Sequence, residues 1–110
     1  MLDTFSIAEK CKSVLIDKKS SDVLLLDVRK INSYLDYLVI ATSSSKLHSR
    51  ALAREIRSTL AEYETVKPRH FDDESEWVLI DFGFVTVNIF TYEAREFYSL
   101  EKLWGDAAKL

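Results

Sequence analysis

Residues 77–104 read WVLIDFGFVTVNIFTYEAREFYSLEKLW, and this stretch restricts the fold more than any other. Two apolar, β-branched runs, 77–81 and 85–90, flank Phe82-Gly83-Phe84. Runs of this kind around a short Gly-bearing turn predict a β-hairpin. Gly83 stands where the turn calls for a positive φ. After Thr91 the apolar spacing changes from two to three or four, which predicts a helix from Tyr92 to about Trp104 with Thr91 as N-cap. Ala94, Phe97, Leu100 and Trp104 form its expected buried stripe, and Gly105 fits the C′ position.

Upstream, Ile7, Ala8, Cys11, Val14 and Leu15 share one helical stripe, so 4–17 is expected to be a helix capped by Asp3 or Thr4. Val23–Val28 reads as a strand buried on both faces at its start. Tyr34–Thr42 reads as a second strand, and its continuous Leu38-Val39-Ile40 run suits an interior position covered on both sides. Ser43-Ser44-Ser45 offers an N-cap for a long helix over about 46–63, with Leu52, Ile56, Leu60 and Tyr63 inward. Pro68 disfavours helix in the residue before it, and Val66–Phe71 could pair as an edge strand. The hairpins predict antiparallel pairs, and the crossover through the long helix allows one parallel neighbour. The expected fold class is α/β (α+β mixed), a single mixed sheet of four to five strands flanked by helices. The expected organisation is one domain over residues 1–110, with residues 107–110 frayed.

Composition narrows the functional classes. The net charge is −3 and the basic residues are scattered, so binding driven by release of nucleic-acid counterions is disfavoured outside a local patch at Lys46, Arg50, Arg54 and Arg57. No apolar run approaches the roughly 20 residues that span a bilayer, so no membrane role is expected. The N-terminus lacks the apolar core of a secretory signal. The single cysteine excludes an internal disulfide and fits a reducing, cytoplasmic location.

A search for chemistry yields little. Asp27, Asp36 and Asp81 lie on or near strands, where three acids could hold Mg²⁺ for phosphoryl transfer. The partner motif is missing: Gly83 and Gly105 are the only glycines, and neither leads from a strand into a helix as a phosphate-cradling loop requires. His48 and His70 have no neighbours at a metal-ligand spacing and no serine elbow to serve. Cys11, on an apolar stripe, is expected to be a small core hydrophobe. Catalytic residues, a metal site and a cofactor are therefore not expected. The aromatics are more informative, because Tyr37, Trp77, Phe82, Phe84, Phe90, Phe97, Tyr98 and Trp104 are too many for the core of so small a domain. Trp, Tyr and Arg are the side chains enriched at binding hot spots.

Taken in order, four groups of residues resemble the ribosomal silencing factors, also called the Iojap family. They are Asp36-Tyr37 with Val39-Ile40-Ala41-Thr42; Ser45, His48 and Ala51; Trp77 through Gly83; and Arg95-Glu96-Phe97-Tyr98 with Leu100-Glu101, Leu103-Trp104 and Asp106. The resemblance runs from about Asp22 to Ala107. Asn88 stands where the family usually has His, Phe84 where an acid is usual, and Tyr92 where Pro is usual. Within this resemblance Asp36, Tyr37, His48, Gly83 and Trp104 are signature positions.

The resemblance implies a nucleotidyltransferase-like topology without catalytic apparatus. It implies binding to the large ribosomal subunit through its fourteenth ribosomal protein, beside the intersubunit face, where the protein blocks joining of the small subunit and represses translation. Roles in large-subunit assembly are attributed to relatives. Trp77, Leu79 and Asp81 alternate onto one side of their strand, and with Arg95 and Tyr98 they are the expected contact residues. Trp104 is expected in the core. The same aromatics could serve self-association as a homodimer.

Overall fold

The hairpin forms as expected, and a five-stranded sheet extends from it in the order β3-β4-β2-β1-β5. A computed structural model describes residues 3–63 and 76–110. The elements in chain order are α1 (Thr4–Asp17), β1 (Ser21–Asp27), β2 (Tyr37–Ser43), α2 (Lys46–Thr59), a 3-10 turn (Ala61–Tyr63), β3 (Trp77–Asp81), β4 (Val85–Thr91), α3 (Tyr92–Tyr98), α4 (Leu100–Leu103) and β5 (Ala108–Lys109). The β1–β2 and β3–β4 pairs are antiparallel, whereas β2 and β4 run parallel in unbroken register from Tyr37↔Val85 to Ser43↔Thr91. The sheet is thus mixed, with helices on both faces.

Local sequence explains where the helices begin. The Asp3 carboxylate accepts from the Ser6 amide at 2.8 Å, the Ser45 hydroxyl from the His48 amide at 3.0 Å and the Thr91 hydroxyl from the Ala94 amide at 3.4 Å. Each satisfies an amide that the first turn leaves without a helical partner. Every residue of β2 is buried, as the unbroken apolar run predicts for a strand covered on both sides. On one face α1 and α2 bury Ile7, Cys11, Leu15, Leu52 and Ile56 against Leu25, Val39, Ile80, Val87 and Ile89. On the other, Leu26, Leu38, Ile40 and Phe90 lie beneath Ala94, with Leu100 and Trp104 partly buried at the margin. Trp104 therefore packs on this second cluster without being enclosed.

Four expectations need correction. The helix expected over 92–104 breaks at Ser99, which is left-handed at φ 48° and ψ 47°. Its hydroxyl donates to the Glu96 carbonyl at 2.7 Å, a local bond that competes with helix continuation. Phe97, on α3 three residues after the buried Ala94, is 74% exposed and not on a buried stripe. Gly105 follows the C-cap residue Trp104, and Gly83 is the one described glycine with a positive φ, at 91°. The long helix ends at Thr59 with Leu60 as C-cap, and Tyr63 lies in the 3-10 turn. Residues 108–109 are not frayed but pair with Asp27 and Leu26, and the Leu110 amide donates to the Leu25 carbonyl at 2.8 Å. An unpaired sheet edge offers free backbone groups, and this short segment meets part of that demand on β1.

The start of β1 also differs. Val23 and Leu24 are only half-buried, and full burial falls on Leu25 and Leu26. The β1–β2 register is irregular between Ser21 and Leu24, with Asp22 at φ 46°, and Val23 and Leu24 there pack only at the margins of the two clusters. The edge strand expected at Val66–Phe71 lies outside the described residues. No helix among the described residues is long and apolar enough to cross a membrane.

Cys11 is fully enclosed between α1 and the sheet, as expected. Burial pushes its thiol up to about 12, against an ordinary value of 9.0, because the thiolate cannot be solvated there. The native protein should therefore resist a thiol reagent at pH 8 and react fully only once denatured. A time course with a chromogenic disulfide reagent, with and without guanidinium, checks this.

Candidate protein-docking face

The face of the sheet carrying α3 and α4 is only partly covered. Strand pairing sets Trp77 against Phe90, Leu79 against Asn88 and Asp81 against Thr86. Alternation therefore places Trp77, Leu79 and Asp81 on this one face, as the sequence predicts. Leu79 is 53% and Tyr98 51% exposed, large fractions for apolar and aromatic side chains beside a packed cluster. Trp77 is half-buried. Its ring lies 5.0 Å from that of Phe90 and 4.9 Å from that of Tyr98, both tilted. Phe97 stands edge-on to Tyr98 at 5.1 Å. Separations of this size are those of favourable aromatic pairs, so the exposed rings are held by one another and by the buried Phe90.

The β3–β4 turn fixes the lower edge of the face. The Asp81 carboxylate accepts from the Gly83 amide at 2.7 Å, a side-chain-closed turn that only the positive φ of Gly83 accommodates readily. Phe84 beside it is exposed.

Arg95 lies differently from the other expected contact residues. Its guanidinium Nη1 donates to the Asp22 carbonyl at 2.6 Å and to the Thr42 hydroxyl at 2.7 Å, and its Nε pairs with Glu101 at 3.2 Å. The side chain is 12% exposed. It ties α3 to the start of β1, the end of β2 and α4, and so fixes the helix that presents Phe97 and Tyr98.

The signature positions are scattered around the scaffold. The Asp36 carboxylate accepts from the Thr4 hydroxyl at 2.8 Å, joining the start of β2 to α1. Tyr37 is buried under Phe5, with the Arg29 guanidinium 5.3 Å from its ring centroid. His48 Nδ1 accepts from the Ser44 amide at 3.0 Å, which leaves Nε2–H to donate to the Lys18 carbonyl at 3.0 Å. The imidazole thus bridges the start of α2 to the end of α1. Gly83 shapes the hairpin and Trp104 closes the second cluster.

The three strand acids do not converge. Asp27 forms a two-pronged pair with Arg29 at 2.9 and 2.8 Å, which holds its carboxyl down at about 2, whereas Asp36 and Asp81 bond elsewhere as described. Among the described residues no three His, Cys, Asp or Glu side chains gather as a metal site.

Sequence reasoning placed Trp77, Leu79, Asp81 and Tyr98 together but missed two members of the face, Phe97 and Asn88. Adjacent aromatics at 97 and 98 cannot both occupy a narrow buried stripe, and that was the available signal for Phe97. Asn88, the one amide within the β4 run, was visible only as an anomaly in an apolar strand.

Comparison with known proteins agrees over nearly the whole chain. A family model described as "Ribosomal silencing factor during starvation" matches residues 3–110. The ribosomal silencing factor RsfS of Bacillus subtilis is 40% identical over 103 residues, covering 93% of this chain and 87% of that protein. More distantly, a mouse protein named "Mitochondrial assembly of ribosomal large subunit protein 1" is 28% identical over 99 residues, covering 84% of this chain and 42% of its own length. The crystal structure of a Chromobacterium violaceum protein superposes with a TM-score of 0.85 at 32% identity, covering 94% of this chain and 88% of the other.

Proposed function

This chain belongs to the ribosomal silencing factor family, and from that premise we propose that it is a non-enzymatic repressor of translation that docks on the large ribosomal subunit and sterically blocks the small one. The contact on the subunit is its fourteenth ribosomal protein. The observation that carries this reading is the partly covered face on which Trp77, Leu79, Phe97 and Tyr98 stand exposed or half-exposed around the buried Phe90. Aromatic anchors ringed by polar side chains are the usual composition of a protein-binding hot spot.

Charge supports the same partner. Ribosomal proteins are commonly basic, and a chain of net charge −3 meets such a surface with favourable long-range attraction. Asp81 supplies a carboxylate at the edge of the face. Arg95 contributes by holding α3 in place. Catalysis, a resident cofactor and sequence-specific nucleic-acid binding have no part in the mechanism: the blocking species is the bound protein itself, acting in the cytoplasm.

A second reading, assembly of the large subunit without silencing, is favoured by the name of the mouse relative. Sucrose-gradient sedimentation of the purified protein with isolated large subunits and with joined ribosomes tests the binding. Silencing predicts co-migration with large subunits and exclusion from joined ribosomes. Accumulation of large-subunit precursors in cells lacking the protein, with subunit joining unaffected by added protein, would favour assembly instead. Recovery of the protein only as a homodimer that ignores both particles would refute the two together.

A further inference from the structure

Asn88 is 2% exposed in the middle of β4, with Leu79 opposite it on β3 and Ile40 on β2. A carboxamide surrounded in this way is unfavourable unless its polar atoms are matched. Both are. Nδ2 donates to the Val39 carbonyl at 3.5 Å, and Oδ1 accepts from the Trp77 indole Nε1–H at 3.0 Å. The shorter bond, to the indole, sets which way the amide points, and the long contact to Val39 lies on its other side. Trp77 pairs with Phe90, so Asn88 is its diagonal cross-strand neighbour, within reach of an aromatic side chain. The indole is therefore held by Phe90 and Tyr98 against its rings and by Asn88 at its nitrogen.

We infer that Asn88 is the positioning residue of the docking face, holding Trp77 in one orientation before the partner arrives. This rests on the reading of Trp77 as a contact residue. A side chain locked in its bound rotamer loses less conformational freedom on association, so a bond that the partner never touches raises affinity for it. Specificity follows from the same bond, because an indole swung away from Asn88 would present a different outline.

Asn88→Leu keeps the approximate volume and removes the acceptor. The expected result has two parts. In the full-length protein the Trp77 indole N–H resonance, distinguished from that of Trp104 by a Trp104→Phe variant, shifts and exchanges faster with solvent. Affinity for purified large subunits falls about fivefold, the worth of one ordinary hydrogen bond. In a Trp77→Phe background, which already lacks the donor, Asn88→Leu should change affinity by less than about twofold.

Asn88→His supplies a rescue. A neutral imidazole accepts from the indole and an imidazolium cannot, so this variant should show the wild-type resonance at pH 8 and lose it only as the imidazole protonates, below the ordinary value of about 6.5 because burial disfavours the charged form. The wild-type resonance should stay in place over the same range. Asp81 from β3, Tyr98 and Arg95 from α3 and Glu101 from α4 are titratable or charged side chains on the elements that build this face, and all are present in that wild-type control. An unshifted indole resonance in Asn88→Leu overturns the inference, as do Asn88→Leu and Trp77→Phe effects that simply multiply. If wild-type protein fails to bind large subunits, the proposed function falls, whereas the resonance measurement alone still decides whether Asn88 holds the indole.

Discussion

Trp77→Ala should weaken binding to large ribosomal subunits by about 30- to 1000-fold, corresponding to roughly 2–4 kcal/mol for loss of a central aromatic anchor. The expectation is large because truncation removes more than the indole's own contact area. Tyr98 packs against it, and Phe97 packs against Tyr98, so an alanine at this position removes one of the rings that hold Tyr98 and leaves it to Phe90 and Phe97. The same substitution should leave the fold intact, because Trp77 is only half-buried at the margin of its cluster. Binding measured by sedimentation beside a thermal melt separates the two effects. A Trp77→Ala protein that melts near wild type and binds like wild type would remove Trp77 from the interface.

Phe90→Ala should instead act on stability. Phe90 is fully enclosed, the largest such side chain among the described residues, and it belongs to the cluster beneath α3. Removing a buried phenyl ring costs roughly 3–5 kcal/mol in lost transfer energy and residual cavity. That is a large share of the 5–15 kcal/mol that typically separates folded from unfolded domains. For a domain of this size the melting temperature should drop by about 15 °C. Thermal unfolding followed by circular dichroism checks it. Because Phe90 also supports the ring of Trp77, binding should fall even at temperatures where the variant is still folded. A shift of only a few degrees would mean that α3 can collapse onto the gap, and that the face rests on other contacts.

These two variants mark what the sequence can and cannot disclose. The buried phenylalanine and the marginal tryptophan lie opposite each other on paired strands, yet their burial differs because Phe90 stands on the interior strand β4 and Trp77 on the edge strand β3. Alternation along β3 was legible, as were the three helix caps at Asp3, Ser45 and Thr91, since each depends on residues close in sequence. The continuous apolar run of β2 announced an interior strand for the same reason. The parallel pairing of β2 with β4 was permitted by the crossover but not specified by it, because both strands are apolar enough to occupy the centre.

The misses share one cause. Ser99 is a tolerable helix residue by propensity, and only its left-handed conformation divides α3 from α4. That conformation goes with contacts distant in sequence, the hold of Arg95 on Asp22 and Thr42. Phe97 lies on α3 itself and is 74% exposed, so a residue expected in the core joins the candidate docking face. Arg95 was read as a surface contact because arginine is common at interfaces, but nothing local could reveal that its guanidinium reaches back to a strand 73 residues earlier. The pairing of 108–109 with β1 was hidden similarly, since two residues carry no periodicity.

The central claim is that a bound copy of this protein on the large subunit keeps the small subunit off, through the face built on Trp77. The direct measurement is light scattering of purified large and small subunits mixed with increasing amounts of protein. The expected result is a dose-dependent loss of joining, saturating near one protein per large subunit and absent with Trp77→Ala at the same concentrations. Undiminished joining at saturating wild-type protein, with binding to the large subunit confirmed in the same samples, would contradict it.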